Sequence, residues 1–114
     1  MTTVEFLKET RAKLAQGWTQ REFARKDGEP TGASALDSDC WCVVGALGHV
    51  ALLHGDYFMP AKFEARSALV EAIGSAEFER WSYSLPHWND APERTQEDVL
   101  ALFDKAIAAE EAKA

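Results

Sequence analysis

The sequence predicts a mainly α (α+β) domain, with four or five helices packed around a buried central helix and a small β-hairpin after the first helix. Three observations carry that prediction. Leu7 and Leu14 recur seven residues apart between Thr3 and Gln16, with Val4 and Phe6 widening the apolar stripe and charges elsewhere, the pattern of an amphipathic helix. The run from Trp41 to Leu53 is apolar at almost every position, and a helix with no polar face has to be surrounded by protein. Asp27-Gly28 stands between two short segments as a two-residue hairpin turn would.

Each element has its own local reasons. Gly17 is placed to stop the first helix. In the following GWTQREFARKDGEPTG, Thr19 and Glu22 imitate a helical capping box, but Trp18, Thr19 and Phe23 around the central Asp-Gly favour the hairpin. Pro30 cannot donate to a ladder, which limits the returning strand to a sheet edge. TGASALDSD, residues 31–39, reads as a loop, and Asp37, Ser38 or Asp39 is expected to cap the central helix. Gly45, Ala46 and Gly48 narrow that helix on one side, so that a neighbouring backbone can come close. A third helix begins near Pro60 and closes at Gly74, offering Phe63, Leu69, Val70 and Ile73 to the core. SAEFERW adds a short helix, and SYSLPHWNDAPER is expected to be an ordered, proline-punctuated loop. Thr95 with Asp98 forms an acidic capping box for the last helix, whose Val99, Leu102, Phe103, Ala106 and Ile107 keep a helical period.

Composition bounds what this domain does. With 114 residues, 46% of them apolar and 27% charged, one globular domain over 1–114 is expected, its tail fraying from about Glu110. A net charge of −7 and a pI near 4.9 oppose a phosphate-backbone binder, so no nucleic-acid partner is expected. The apolar run Cys40–Leu53 is broken by glycines and His49 and is shorter than the roughly 20 residues of a spanning helix, so no membrane association is expected. Two cysteines, one residue apart, make no disulfide framework, and no apolar leader stands at the start, so the expected location is cytoplasmic.

Two stretches hold the candidate chemistry. Cys42 falls in the first turn of the predicted central helix, where unpaired N–H groups and the dipole lower a thiol pKa. His49 lies two turns along the same helix and is out of reach, which leaves His87 as the base of a set Cys42, His87 and Asn89 or Asp90. Against this catalytic reading stands the simpler one, in which Cys42 is a small apolar plug and Trp41 its anchor. Cys40 and Cys42 diverge on a helix, as do His49 and His54, so no metal site is predicted; no phosphate loop or dinucleotide fingerprint appears, and no cofactor is implied. The second stretch, PHWNDAPERTQEDV, offers Trp88, Asn89, Asp90 and Arg94 as a binding surface, because tryptophan and arginine are the side chains of interface hot spots. The same residues also have structural uses. Arg94, at the positive end of the last helix, needs a counterpart, either Asp90 across the turn or a carboxyl-end carbonyl of another helix.

The motifs WCVVGAL and, about forty residues later, WNDAPERTQEDV, preceded by GWTQ, resemble an uncharacterised domain-of-unknown-function family of small bacterial and phage-borne proteins. The resemblance runs from about Leu7 to Ile107. It marks Gly17, Trp18, Thr19 and Gln20, then Trp41, Cys42 and Gly45 to Leu47. In the last motif it marks Trp88, Asn89, Asp90, Pro92, Arg94, Thr95 and Val99. Cys40 and all three histidines fall outside the pattern, and Glu93 replaces a typical glycine. The resemblance implies a fold and a bacterial or viral setting, with no substrate. The leading expectation is a small cytoplasmic, non-catalytic binding or accessory protein with a protein partner. A cysteine-dependent hydrolase or transferase using Cys42 and His87, and an acidic phage-type inhibitor of a nucleic-acid enzyme, are the alternatives.

Overall fold

In the computed structural model, residues 1–32 and 35–113 are described. Helix α1 (Thr3–Gln16) is followed by the strands β1 (Ala24–Lys26), β2 (Glu29–Thr31) and β3 (Cys40–Trp41). Then come α2 (Val43–Leu53), α3 (Pro60–Ile73), α4 (Ser75–Arg80), α5 (Leu85–Asn89) and α6 (Gln96–Lys113). The class is the expected one, mainly α with a small antiparallel sheet. No helix among the described residues is long and apolar enough to cross a membrane.

The hairpin forms around Asp27 and Gly28, whose φ values of 51° and 84° are the paired left-handed conformation that matches the twist of two short strands. β1 pairs with β2 through Ala24–Thr31, Arg25–Pro30 and Lys26–Glu29, and Pro30 lies on the edge strand as required. The sheet has a third strand that the apolar pattern concealed: β1 also pairs antiparallel with β3, giving the order β2-β1-β3. The central helix therefore begins at Val43 rather than at Trp41. Its cap is Cys42, not Asp37, Ser38 or Asp39. A run of apolar residues does not distinguish a buried strand from the buried helix it leads into, and here it contains both.

α1 lies against α6, α3 and α2, and its side chains Phe6, Leu7 and Leu14 are fully buried. Arg11 donates twice to Asp104, at 2.6 and 3.1 Å, and Gln96 Nε2 donates to the Leu14 carbonyl at 2.8 Å, so α6 is tied to the C-terminal half of α1. α2 is buried without interruption from Gly45 to Ala51, but it shares the centre with α1 and emerges at Leu53. The expected core of α3 is corrected. Its inward face is built from Ala61, Ala65, Ala68, Leu69 and Ala72, while Phe63 is exposed and Val70 and Ile73 are only half-buried. Small side chains let α3 approach α1 and α6 closely, and the phenyl ring is displaced outward.

One further expectation changes. The proline-punctuated loop contains α5, with Pro86 in the first turn, where its missing N–H is no loss, and Ser84 Oγ accepting from His87 N. Among the described residues that makes six helices in place of four or five. α6 extends to Lys113, whose ammonium reaches Glu110 and Glu71. The loop read over residues 31–39 includes 33 and 34, which lie outside the described residues. The capping box that opens α6 is present in both directions, Asp98 N to Thr95 Oγ1 at 3.1 Å and Thr95 N to Asp98 Oδ2 at 3.0 Å.

Candidate functional site

The three motifs meet at one junction, and Asn89 is its centre. This side chain is fully buried at the end of α5. Its Oδ1 accepts from Trp18 Nε1 at 2.8 Å and from Val43 N at 3.1 Å; its Nδ2 donates to the Thr19 carbonyl at 3.1 Å and to Asp90 Oδ1 at 3.0 Å. An amide has two lone pairs and two N–H donors to offer, and all four are used. Val43 N is one of the N–H groups that the start of α2 leaves without a helical partner, so an asparagine from α5 completes the cap that Cys42 begins. Gln20 adds a second clasp: its Nε2 donates to the carbonyls of Asn89 and Ala91, each at 2.9 Å. Asp90 Oδ1 also accepts from Arg21 N at 2.8 Å and holds that residue at φ 70°, a left-handed conformation a non-glycine residue seldom adopts.

Cys42 lies in the same junction, 5% exposed. Its Sγ accepts from Gly45 N at 3.3 Å, the bond an N-cap side chain makes, and its own N–H donates to the Phe23 carbonyl at 3.1 Å. Gly45 is needed there, because a Cβ at that position would run into the Phe23 carbonyl oxygen. Burial pushes the Cys42 thiol pKa up, and the N–H bonds from Gly45 and Val44 only partly oppose it. A nucleophilic thiol requires the opposite shift. Cys42 borders a cavity of about 140 Å³ shared with Arg21, Phe23, Pro86 and Asp90, whereas the exposed His87 borders another, beside Trp81 and Pro92. The thiol and the imidazole thus face different cavities, and the Asn89 amide has no hydrogen-bonding capacity left for either. Among the described residues no group of three or more His, Cys, Asp or Glu could hold a metal ion.

Of the four residues proposed as a binding surface, Trp88 and Asn89 are buried, and Asp90 and Arg94 are half-buried. Arg94 does not pair with Asp90. Its Nε donates to the Trp88 carbonyl at 2.9 Å, the carboxyl-end alternative. The guanidinium carbon lies 3.9 Å from the centre of the Trp88 ring and 5.8 Å from that of Trp81, and the guanidinium carbon of Arg80 lies 5.5 Å from the Trp81 ring centre. Both Arg80 and Arg94 thus lie near the Trp81 ring, and Arg94 lies closest to Trp88. Trp81 Nε1 is tied to Glu77 at 3.0 Å, and burial pushes the Arg94 pKa down while Asp98 and Glu77 draw it back. Among the described residues, the terminal nitrogens of Arg94 have no hydrogen-bond partner. A cavity of about 400 Å³ opens between α4 and the start of α6, with Glu77, Arg80, Trp81, Pro92, Arg94 and Asp98 on its walls. A second, of about 300 Å³, lies beyond Arg94 against Ile73, Trp88 and Leu102. Reasoning from sequence missed Arg80, Trp81 and Glu77, although Trp81 ends a helix-forming segment only seven residues before Trp88.

A model of the family of unknown function DUF6197 matches residues 1–109. No curated protein and no solved structure matches significantly. Matched over nearly its whole length, the chain belongs to the DUF6197 family of unknown function.

Proposed function

We propose that the protein is a small, non-catalytic binding protein of bacterial or phage origin, working in the cytoplasm, which takes a protein partner on the ridge formed by Trp81 and Arg94. One observation carries the reading: Arg94 is half-buried, stacked on Trp88 and near Trp81, and among the described residues its terminal nitrogens have no hydrogen-bond partner. A guanidinium held flat by stacking has already lost much of its side-chain freedom, and its fork matches a carboxylate in two-point contact. The surrounding composition, tryptophan and arginine with a rim of Glu77, Glu93 and Asp98, is that of an interface centre with a polar edge. The partner this suits carries an exposed Asp or Glu beside an apolar side chain. The net charge of −7 disfavours a polyanion in that place. The buried, raised-pKa thiol disfavours a cysteine nucleophile.

The test is affinity capture from a lysate of the native host with the wild-type chain and with Arg80→Ala and Trp81→Ala, each variant first shown to melt cooperatively. A partner held by the wild type and released by both variants supports the reading. A partner retained equally by all three chains, or a salt-sensitive association with nucleic acid in its place, overturns it.

A further inference from the structure

A different surface carries a site of another chemistry. The α2–α3 connection and the first turns of α3 gather Tyr57, Phe58 and Phe63 around Lys62, whose Nζ lies 3.4, 5.6 and 4.8 Å from the three ring centres. Lys62 is 9% exposed. Among the described residues its ammonium makes no ion pair and no hydrogen bond, while its backbone N–H donates to the Met59 carbonyl at 3.1 Å. Asp56, the nearest acid before it in the chain, has its Oδ1 on the N–H of Phe58 at 3.0 Å. Ring faces attract a cation but accept its hydrogens poorly, so three N–H donors are left without a conventional acceptor. Arg66, one turn further along α3 and exposed, is also unpaired among the described residues. Both cations border a cavity of about 110 Å³ whose floor is Val44, Leu47 and Gly48 of α2.

We infer that this cavity binds a small carboxylate bearing a short aliphatic tail, with the tail on Val44, Leu47 and Gly48 and the carboxylate at the mouth between Lys62 and Arg66. Each half of the ligand answers one feature. An apolar floor alone would take any hydrocarbon fragment, and two cations alone would take any anion; only their adjacency selects a molecule with both ends. Size sets the tail, since an apolar cavity of roughly 150 Å³ accommodates benzene, so this smaller one suits a branched aliphatic group. The carboxylate would supply the acceptor Lys62 lacks, in surroundings where water competes weakly. Burial already pushes the Lys62 pKa down, and a bound carboxylate should draw it back up.

Isovalerate is the probe, followed by NMR on the isotopically labelled full-length chain. Saturable shifts are expected at the amides of Val44, Leu47 and Gly48 and at the Lys62 side chain, with the Lys62 titration moving to higher pH. Isoamyl alcohol, which has the same tail without the charge, should bind weakly. Lys62→Met and Arg66→Gln should each weaken isovalerate about tenfold or more, the loss that accompanies removal of a charge-assisted hydrogen bond. Arg66 is exposed, so its variant remains readable should methionine at position 62 disturb the fold. Shifts that never saturate, an alcohol that binds as well as the acid, or Arg66→Gln binding unchanged would each overturn the inference. None of these results bears on the Trp81–Arg94 ridge, which lies on other elements.

Discussion

Trp41 stands between two buried polar clusters that are built in opposite ways. On one side is the Asn89 junction, where every hydrogen-bonding valence of the amide is filled and three separate stretches of chain are clasped together. On the other, the Trp41 ring tilts against His49 at 4.8 Å, both are almost completely buried, and Trp41 Nε1 and His49 Nδ1 have no hydrogen-bond partner among the described residues. The magnitudes explain how both persist. Burying a large aromatic side chain removes about 150–250 Å² from water, which at about 25 cal/mol per Å² contributes roughly 4–6 kcal/mol. An unsatisfied buried donor costs about 1–3 kcal/mol. Aromatic burial therefore outweighs one orphaned N–H, and the Trp41–His49 pair is a packing element. The Asn89 junction buries little hydrocarbon of its own and depends on hydrogen bonds being complete; it specifies which segments meet.

The largest expected effect comes from breaking the complete cluster. Asn89→Ala strips partners from Trp18 Nε1, Val43 N and the Thr19 carbonyl at once, and the summed penalty should be about 3–5 kcal/mol, a large part of a small domain's stability. Urea denaturation with an unchanged m-value is the measurement. A loss under about 1 kcal/mol would mean that water replaces the amide and that the two clusters do not differ in kind. Gly45→Ala comes next. It attacks the same junction through shape, since the Phe23 carbonyl is main chain and can yield only by moving β1 away from α2. The expected loss is about 2–3 kcal/mol, and a melting temperature matching the wild type would show that the approach of β1 to α2 is loose.

The contrast also explains what could be read in advance. Periodicity located α1, α3 and α6 because each has one apolar stripe and one wet face, and the Asp27-Gly28 turn was legible because its backbone conformation restricts the residue type. β3 was not legible: Cys40 and Trp41 merge without a break into the apolar run of α2, and only the register against Ala24 and Arg25 marks them as strand. Nor was the fate of Trp88 and Asn89 legible. An asparagine in a proline-rich segment looks like an exposed turn residue, and its burial follows from Trp18 and Val43, about 70 and 46 residues away. The aromatic cluster around Lys62 did leave a trace, since Phe63 was assigned to a core that α3 in fact builds from alanines.

A third substitution sharpens the reading of Cys42. As a plug, it would lose about 1–3 kcal/mol on replacement by serine, for burying a poorly paired hydroxyl. As the N-cap that accepts from Gly45 N, it should tolerate serine within about 1 kcal/mol, because a hydroxyl is the better capping acceptor, while Cys42→Ala should lose about 1 kcal/mol. Chemical denaturation of the two variants together ranks the readings: serine at or above alanine supports the cap, and serine below alanine supports the plug. In a Cys40→Ser background the remaining thiol should react slowly with a thiol reagent near neutral pH, since burial raises its pKa.

The smallest effect probes the incomplete cluster and depends on pH. Burial, with the charge of Lys13 adding to it, holds the His49 imidazole below its ordinary pKa of 6.5. In the unfolded chain His49 takes up a proton as pH falls through about 6.5, while in the folded chain burial shifts that uptake to lower pH. The unfolded state then binds more protons. The stability His49 permits is therefore fully present above about 6.5 and is lost as pH falls toward the folded pKa. His49→Leu removes this titration along with the orphaned Nδ1 and keeps the position apolar. Near neutral pH the variant should lie within about 1 kcal/mol of the wild type, lost ring stacking being set against the removed polar atom. Below that pH its advantage should grow, and His54 and His87, present in both chains, drop out of the difference. Thermal melts of both proteins at about pH 7.5 and about pH 5.5 provide the comparison. Parallel melting curves at the two pH values would mean that His49 titrates alike in the folded and unfolded chains, and would overturn the reading that burial holds its pKa down.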